Sequence, residues 1–133
     1  MARGSLGRAD LVAPSSEAVV LLPRLAGRTT AYSSPILVNG GGSQLVIYLV
    51  TWTIGTASLT LSVADIAPGD LVATNLLSSA AVATNTTTRL RVSPHLTAAA
   101  NSIAKEIVPA LFQISIAVGN ANPAEYSLSY ALV

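Results

Sequence analysis

Gln44-Leu45-Val46-Ile47-Tyr48-Leu49-Val50-Thr51-Trp52-Thr53 decides the fold. Read as a strand, the run turns Leu45, Ile47 and Leu49 to one side and Val46, Tyr48, Val50 and Trp52 to the other. Both faces are apolar. A strand in a two-layer antiparallel fold usually keeps one face wet. One face of this strand is therefore expected to line a sandwich core. The other is expected to meet an extra layer, a long loop or another subunit.

The flanking segments repeat strand lengths between turn signals. Upstream, Thr29–Val38 is rich in Thr, Tyr, Ile and Val, and Asn39-Gly40-Gly41-Gly42 follows it as a turn that takes positive φ at little cost. No Lys-Ser/Thr follows and no helix opens there, so a phosphate-binding loop is not indicated. Ala18–Leu25 is apolar but holds Pro23, which places it at an edge or bend. Downstream, Ile54-Gly55-Thr56 turns into Thr56–Asp65, where Leu59, Leu61 and Val63 alternate with Thr60 and Ser62. Ala67-Pro68-Gly69-Asp70 is the next turn, and Leu71–Ala83 is a strand candidate with Ala-rich, poorly marked ends.

Thr86–Val92 alternates again, with Leu90 and Val92 inward and Arg89 and Arg91 outward. Pro94–Lys105 breaks the pattern as one helical turn or a compact loop. Leu111–Val118 sets Phe112, Ile114, Ile116 and Val118 against Gln113, Ser115 and Ala117. After the turn Gly119–Pro123, Tyr126, Leu128, Tyr130 and Leu132 alternate with Ser127, Ser129 and Ala131. The expectation is an all-β chain: a jelly-roll-like antiparallel sandwich of seven or eight strands over residues 18–133. Residues 1–17, with Pro14 and many small residues, read as an extended N-terminal arm.

Composition narrows the function. Of the 133 residues, 51% are hydrophobic and only 10% charged, against roughly 25% charged in an ordinary soluble domain. A surface so poor in charge is suited to being covered by neighbouring subunits. The net charge of +1 argues against nucleic acid as a main partner. No run approaches the roughly 18 apolar residues of a membrane helix. Arg3 and Arg8 imitate the start of a signal peptide, but the apolar run behind them is too short. There is no cysteine, which excludes disulfides and thiolate zinc.

Reactive groups are sparse. His95 is the one histidine and has no acid within nine positions, so a histidine metal site is not indicated. Asp65 and Asp70 flank the Pro68-Gly69 turn, yet a calcium site needs more oxygens than two carboxylates bring. No Gly-x-Ser-x-Gly elbow occurs, so a hydrolase is not indicated. No cofactor, metal or enzymatic activity is expected. Candidate partner-binding residues are Arg3, Arg8 and Leu11 in the arm, Val46, Tyr48 and Trp52 on the second face of the central strand, and Arg89 and Arg91. Trp and Arg are common interface anchors, and Arg suits bidentate contact with carboxylates.

Several ordered pieces carry a resemblance. Ala31-Tyr32-Ser33-Ser34-Pro35 leads a first strand. Leu45–Val50 and Thr51 precede Ala57-Ser58-Leu59-Thr60-Leu61. Pro68-Gly69-Asp70 precedes Leu76-Leu77-Ser78-Ser79-Ala80-Ala81. Leu90-Arg91-Val92, Leu96–Asn101, Ile107-Val108-Pro109 and a closing Tyr126-Ser127 strand complete the series. From Ala31 onward the chain thus resembles small virion proteins of tailed bacteriophages. The resemblance implies a β-sandwich component on the capsid surface, a head decoration (cement) protein that binds the major capsid protein and associates with itself as a homo-oligomer, as trimers or clusters. The alternative is a tail- or fibre-associated module for host or carbohydrate adhesion.

Overall fold

A computed structural model describes residues 18–133. The expected arm, with Arg3, Arg8 and Leu11, lies outside the described residues. Ten strands follow in chain order: β1 (Val19–Arg28), β2 (Tyr32–Ser33), β3 (Leu37–Val38), β4 (Leu45–Thr51), β5 (Leu59–Ile66), β6 (Ala73–Ser78), β7 (Thr86–Val92), β8 (Ile103–Ala104), β9 (Leu111–Val118) and β10 (Ala124–Leu132). One sheet has the order β1-β10-β4-β7-β8. The other has the order β2-β9-β5-β6, with β3 also on β9. All pairings are antiparallel except the short β7–β8 contact.

Counting β2 and β3 as one interrupted strand, and setting β8 aside, eight strands remain. They run first-eighth-third-sixth in one sheet and second-seventh-fourth-fifth in the other. This is the jelly-roll order, in which nearly every connection crosses between sheets. The sequence expectation of an all-β, jelly-roll-like sandwich stands. The strand count rises to ten because Pro35, lacking an N–H, splits the expected Thr29–Val38 strand in two, and because the two-residue β8 forms beside β7.

The core is built by the period-two pattern. Leu45, Ile47 and Leu49 of β4 face Leu59, Leu61 and Val63 of β5, Leu90 and Val92 of β7, Phe112, Ile114 and Ile116 of β9, and Tyr126 and Leu128 of β10. All of these are buried, and each such side chain contributes roughly 1.5–3 kcal/mol by leaving water. Phe112 and Tyr130 meet edge to face at 6.0 Å, an arrangement aromatic pairs prefer. β1 lies at a sheet edge, as Pro23 requires, but runs to Arg28 through several register shifts. Gly27, with φ of 80°, supplies the left-handed residue that such an irregularity favours.

The second sheet ends its edge strands with one device used twice. Ser34 follows β2, and its N–H donates to Ile114 O at 2.8 Å. The Ile114 N–H then donates to Ser34 Oγ at 3.0 Å rather than to a main-chain carbonyl. Ser79 follows β6 and does the same with Leu61: N–H to Leu61 O at 2.7 Å, and Leu61 N–H to Ser79 Oγ at 3.0 Å. Both serines are buried. Each hydroxyl replaces a ladder acceptor where the backbone turns away, so the buried donor is not orphaned.

The open face of the first sheet

The inward side of β4 lines the core, and its outward side forms a stripe of Val46, Tyr48, Val50 and, just past the strand, Trp52. Register sets the neighbours. Val46 lies between Ala131 of β10 and Arg91 of β7, Tyr48 between Ser129 and Arg89, and Val50 between Ser127 and Thr87. Past the strand ends, Trp52 N–H donates to Glu125 O at 2.9 Å and Asn85 N–H donates to Trp52 O at 2.9 Å. Small residues, Ala131, Ser129 and Ser127, thus flank the stripe on the β10 side, and Arg and Thr flank it on the β7 side.

Val46 is buried, whereas Tyr48, Val50 and Trp52 are half-buried. Cations cover part of the aromatic surface. The Arg24 guanidinium of β1 lies 3.9 Å from the Trp52 ring centroid, and its Nε donates to Glu125 Oε2 at 2.7 Å. The Arg89 guanidinium lies 5.6 Å from the Tyr48 ring. These are cation–π distances, worth about 0.5–1 kcal/mol each at exposed sites. Glu125 answers Arg24, but among the described residues no carboxylate is bridged to Arg89 or Arg91. The face therefore combines apolar surface with a positive margin.

Of the residues singled out from sequence, the structure brings Val46, Tyr48, Trp52, Arg89 and Arg91 onto one face. Arg3, Arg8 and Leu11 lie outside the described residues. Sequence reading missed Arg24 and Glu125. They reach Trp52 only because β10 inserts between β1 and β4, and no local spacing signals that order. A groove of about 210 Å³ runs beside Trp52 past Val50, Asn85, Thr86 and Thr87.

A second hollow, about 270 Å³, lies between the end of β1 and the Thr29–Ala31 connection, with Leu22, Arg28 and Tyr126 in its wall. Arg28 donates to Pro23 O at 2.6 Å and sits 5.2 Å from the Tyr126 ring. Its buried Nε has no hydrogen-bond partner among the described residues. Burial pushes the Tyr126 phenol above its ordinary pKa, although Arg28 pulls the other way. Tyr130 is raised by burial alone.

His95 is exposed, and its N–H donates to Ser93 Oγ at 3.2 Å. Asp70 Oδ1 accepts from Val72 N–H at 3.4 Å, within the turn. Among the described residues, no three His, Asp or Glu side chains converge as a metal site would require. No helix there is long and apolar enough to cross a membrane.

Fold and face together define a jelly-roll sandwich with an aromatic and arginine-bearing open sheet. No protein-family model matches the chain, and no curated protein matches it.

Proposed function

We propose that the chain is a non-catalytic structural protein of a virion, a capsid decoration protein that seats the open face of its first sheet on the major capsid protein shell. One observation carries the reading: Tyr48, Trp52, Arg89 and Arg91 share one half-covered sheet face. Trp, Tyr and Arg are the residues that dominate interface energetics, especially around a desolvated centre. Val46 and Val50 supply the apolar centre, and Arg89 and Arg91 the polar margin that would meet acidic residues of the shell. The scarcity of charge, 10% of residues, suits a protein whose surface is largely covered in an assembly. The mechanism is passive. Binding across joints between shell subunits adds buried area and stabilises the assembled state by mass action, and self-association adds avidity.

The test is cosedimentation with shells of the major capsid protein. The chain should pellet with shells, and Tyr48→Ala with Trp52→Ala should reduce binding at least tenfold while leaving the fold intact. If that double variant and a deletion of residues 1–17 both bind as the parent does, the reading fails.

A second reading, an adhesion module for carbohydrate, is favoured by the groove beside Trp52, whose Asn85, Thr86 and Thr87 offer amide and hydroxyl partners next to an aromatic ring. Glycan-array binding lost on Asn85→Ala would support it, and an array without binding would remove it.

A further inference from the structure

A jelly roll has four sheet edges, and three of them are blunted here. β1 carries Pro23, Arg24, Arg28 and register shifts. β8 is two residues long, as are β2 and β3 on the far edge of the second sheet. Short strands, prolines, charges and bulges are the usual devices against edge-to-edge pairing. β6 has little of this protection. Among the described residues it pairs only with β5. No proline or charged residue occurs from Leu71 to Thr88. Its one irregularity falls at Leu76, beyond a regular stretch that pairs Ala73, Thr74 and Asn75 with Ile66, Asp65 and Ala64. Leu71 through Asn75 are all exposed.

The hairpin fixes which backbone groups look outward. Ala67 N–H donates to Val72 O at 2.9 Å, so the Val72 carbonyl faces β5. Antiparallel ladders alternate. Thr74 therefore also bonds toward β5, while the N–H and C=O of Ala73 and Asn75 point to the open side. Leu71 is held at φ of 59°, a conformation that costs a side chain other than Gly or Asn about 1–2 kcal/mol. It and Val72 are more than half exposed at the tip.

We propose that β6 is a self-pairing edge: two copies of this chain join antiparallel through Ala73–Asn75 about a two-fold axis at Thr74, making one continuous sheet. Ala73 of one copy then meets Asn75 of the other, and the reverse. Each pair exchanges both outward main-chain hydrogen bonds. The two Thr74 side chains lie directly opposite, a favourable cross-strand pair. Exposed Val72 comes against half-buried Leu76 of the second copy. The edge is self-complementary because it carries no charge to repel itself. The nearest acid is Asp65, opposite Thr74 on β5; it stays three strand spacings, about 14 Å, from its counterpart, beyond the roughly 8–10 Å screening length of ordinary salt. A closed two-fold contact is isologous, so the pair does not propagate into fibres. So short an edge associates weakly in solution, and close packing in an assembly would strengthen it through effective concentration. This inference goes beyond the shell-binding reading and stands without it, because no shell enters its test.

Sedimentation equilibrium of the full chain, from about 10 µM to about 1 mM, tests the proposal. The mean mass should rise from 13.5 kDa toward twice that value. Thr74→Lys and Thr74→Glu should each stay at the single-chain mass, and an equimolar mixture of the two should recover the pair. Asn75→Pro, which removes an outward donor without touching the β5 ladder, should also stay single. Hydrogen exchange at the Ala73 and Asn75 amides should slow as concentration rises. A parent chain that is single throughout, a Thr74→Lys variant that still pairs, or slow exchange at those amides in dilute protein would overturn the proposal.

Discussion

The guanidinium of Arg24 lies over the ring of Trp52, 3.9 Å from its centroid, and so ties β1 to β4 across the whole width of β10. Its Nε is held by Glu125 at 2.7 Å, which orients the guanidinium on the indole. Replacing Arg24 with Met should cost about 1 kcal/mol, the sum expected of an exposed cation–π contact and a surface ion pair. Trp52 fluorescence should shift to the red as the ring gains water. Arg24→Lys should recover only part of the loss, since Lys lacks the planar fork. Chemical denaturation followed by Trp52 emission measures both quantities.

The two faces of β4 should differ sharply in stability cost. Ile47 is fully buried between Leu90 and Tyr130, so Ile47→Ala should destabilise by about 2–5 kcal/mol. Val50 lies on the open face, half-buried between Ser127 and Thr87, so Val50→Ala should cost about 1 kcal/mol or less. Urea unfolding of the two variants checks the difference.

Ser34 and Ser79 make a matched pair for testing the surrogate acceptor. Ser34→Ala leaves Ile114 N–H without its partner, and Ser79→Ala does the same to Leu61 N–H. Each should cost about 1–3 kcal/mol, the penalty for orphaning a buried donor. The two sites sit on opposite edges of one sheet, three strand spacings or about 14 Å apart. The double variant should therefore show additive losses in calorimetry.

Alkaline pH should unfold the protein through its buried phenols. Burial raises the Tyr126 and Tyr130 pKa values above the ordinary 10.0. A raised folded-state value favours the neutral form, so this contribution is complete below the unfolded value. It is lost as pH climbs from about 10 through the folded-state values, because the unfolded chain ionises first. Stability should hold flat with respect to these groups up to about pH 9 and then fall. Tyr126→Phe with Tyr130→Phe should flatten the alkaline limb, as read by the denaturation midpoint against pH.

Much of the fold was legible because strand parity survives folding. Leu111–Val118 and Thr86–Val92 emerge with the expected bounds, and the inward sets Leu59, Leu61, Val63 and Phe112, Ile114, Ile116 line the core. Where parity is weak, the boundaries moved. The Ala-rich Leu71–Ala83 segment yields a strand only over Ala73–Ser78, since Ser79 leaves the ladder through its own hydroxyl. Pro94–Lys105 is the expected loop, without a helical turn, except that Ile103 and Ala104 near its end pair with β7, where Arg91 N–H donates to Ser102 O at 2.9 Å. The candidate site was half legible. Tyr48, Trp52, Arg89 and Arg91 follow from alternation alone. Arg24, Glu125 and the open β6 edge depend on strand order, which is set by packing over long sequence distances.

The seat proposed for a capsid shell is the open face of the first sheet. Electron cryo-microscopy of shells of the major capsid protein with the bound chain tests it most directly. Density should show Tyr48, Val50 and Trp52 buried against the shell, with Arg89 and Arg91 beside acidic shell residues. Density with that face turned to solvent, or shells that carry no copy of the chain, would contradict it.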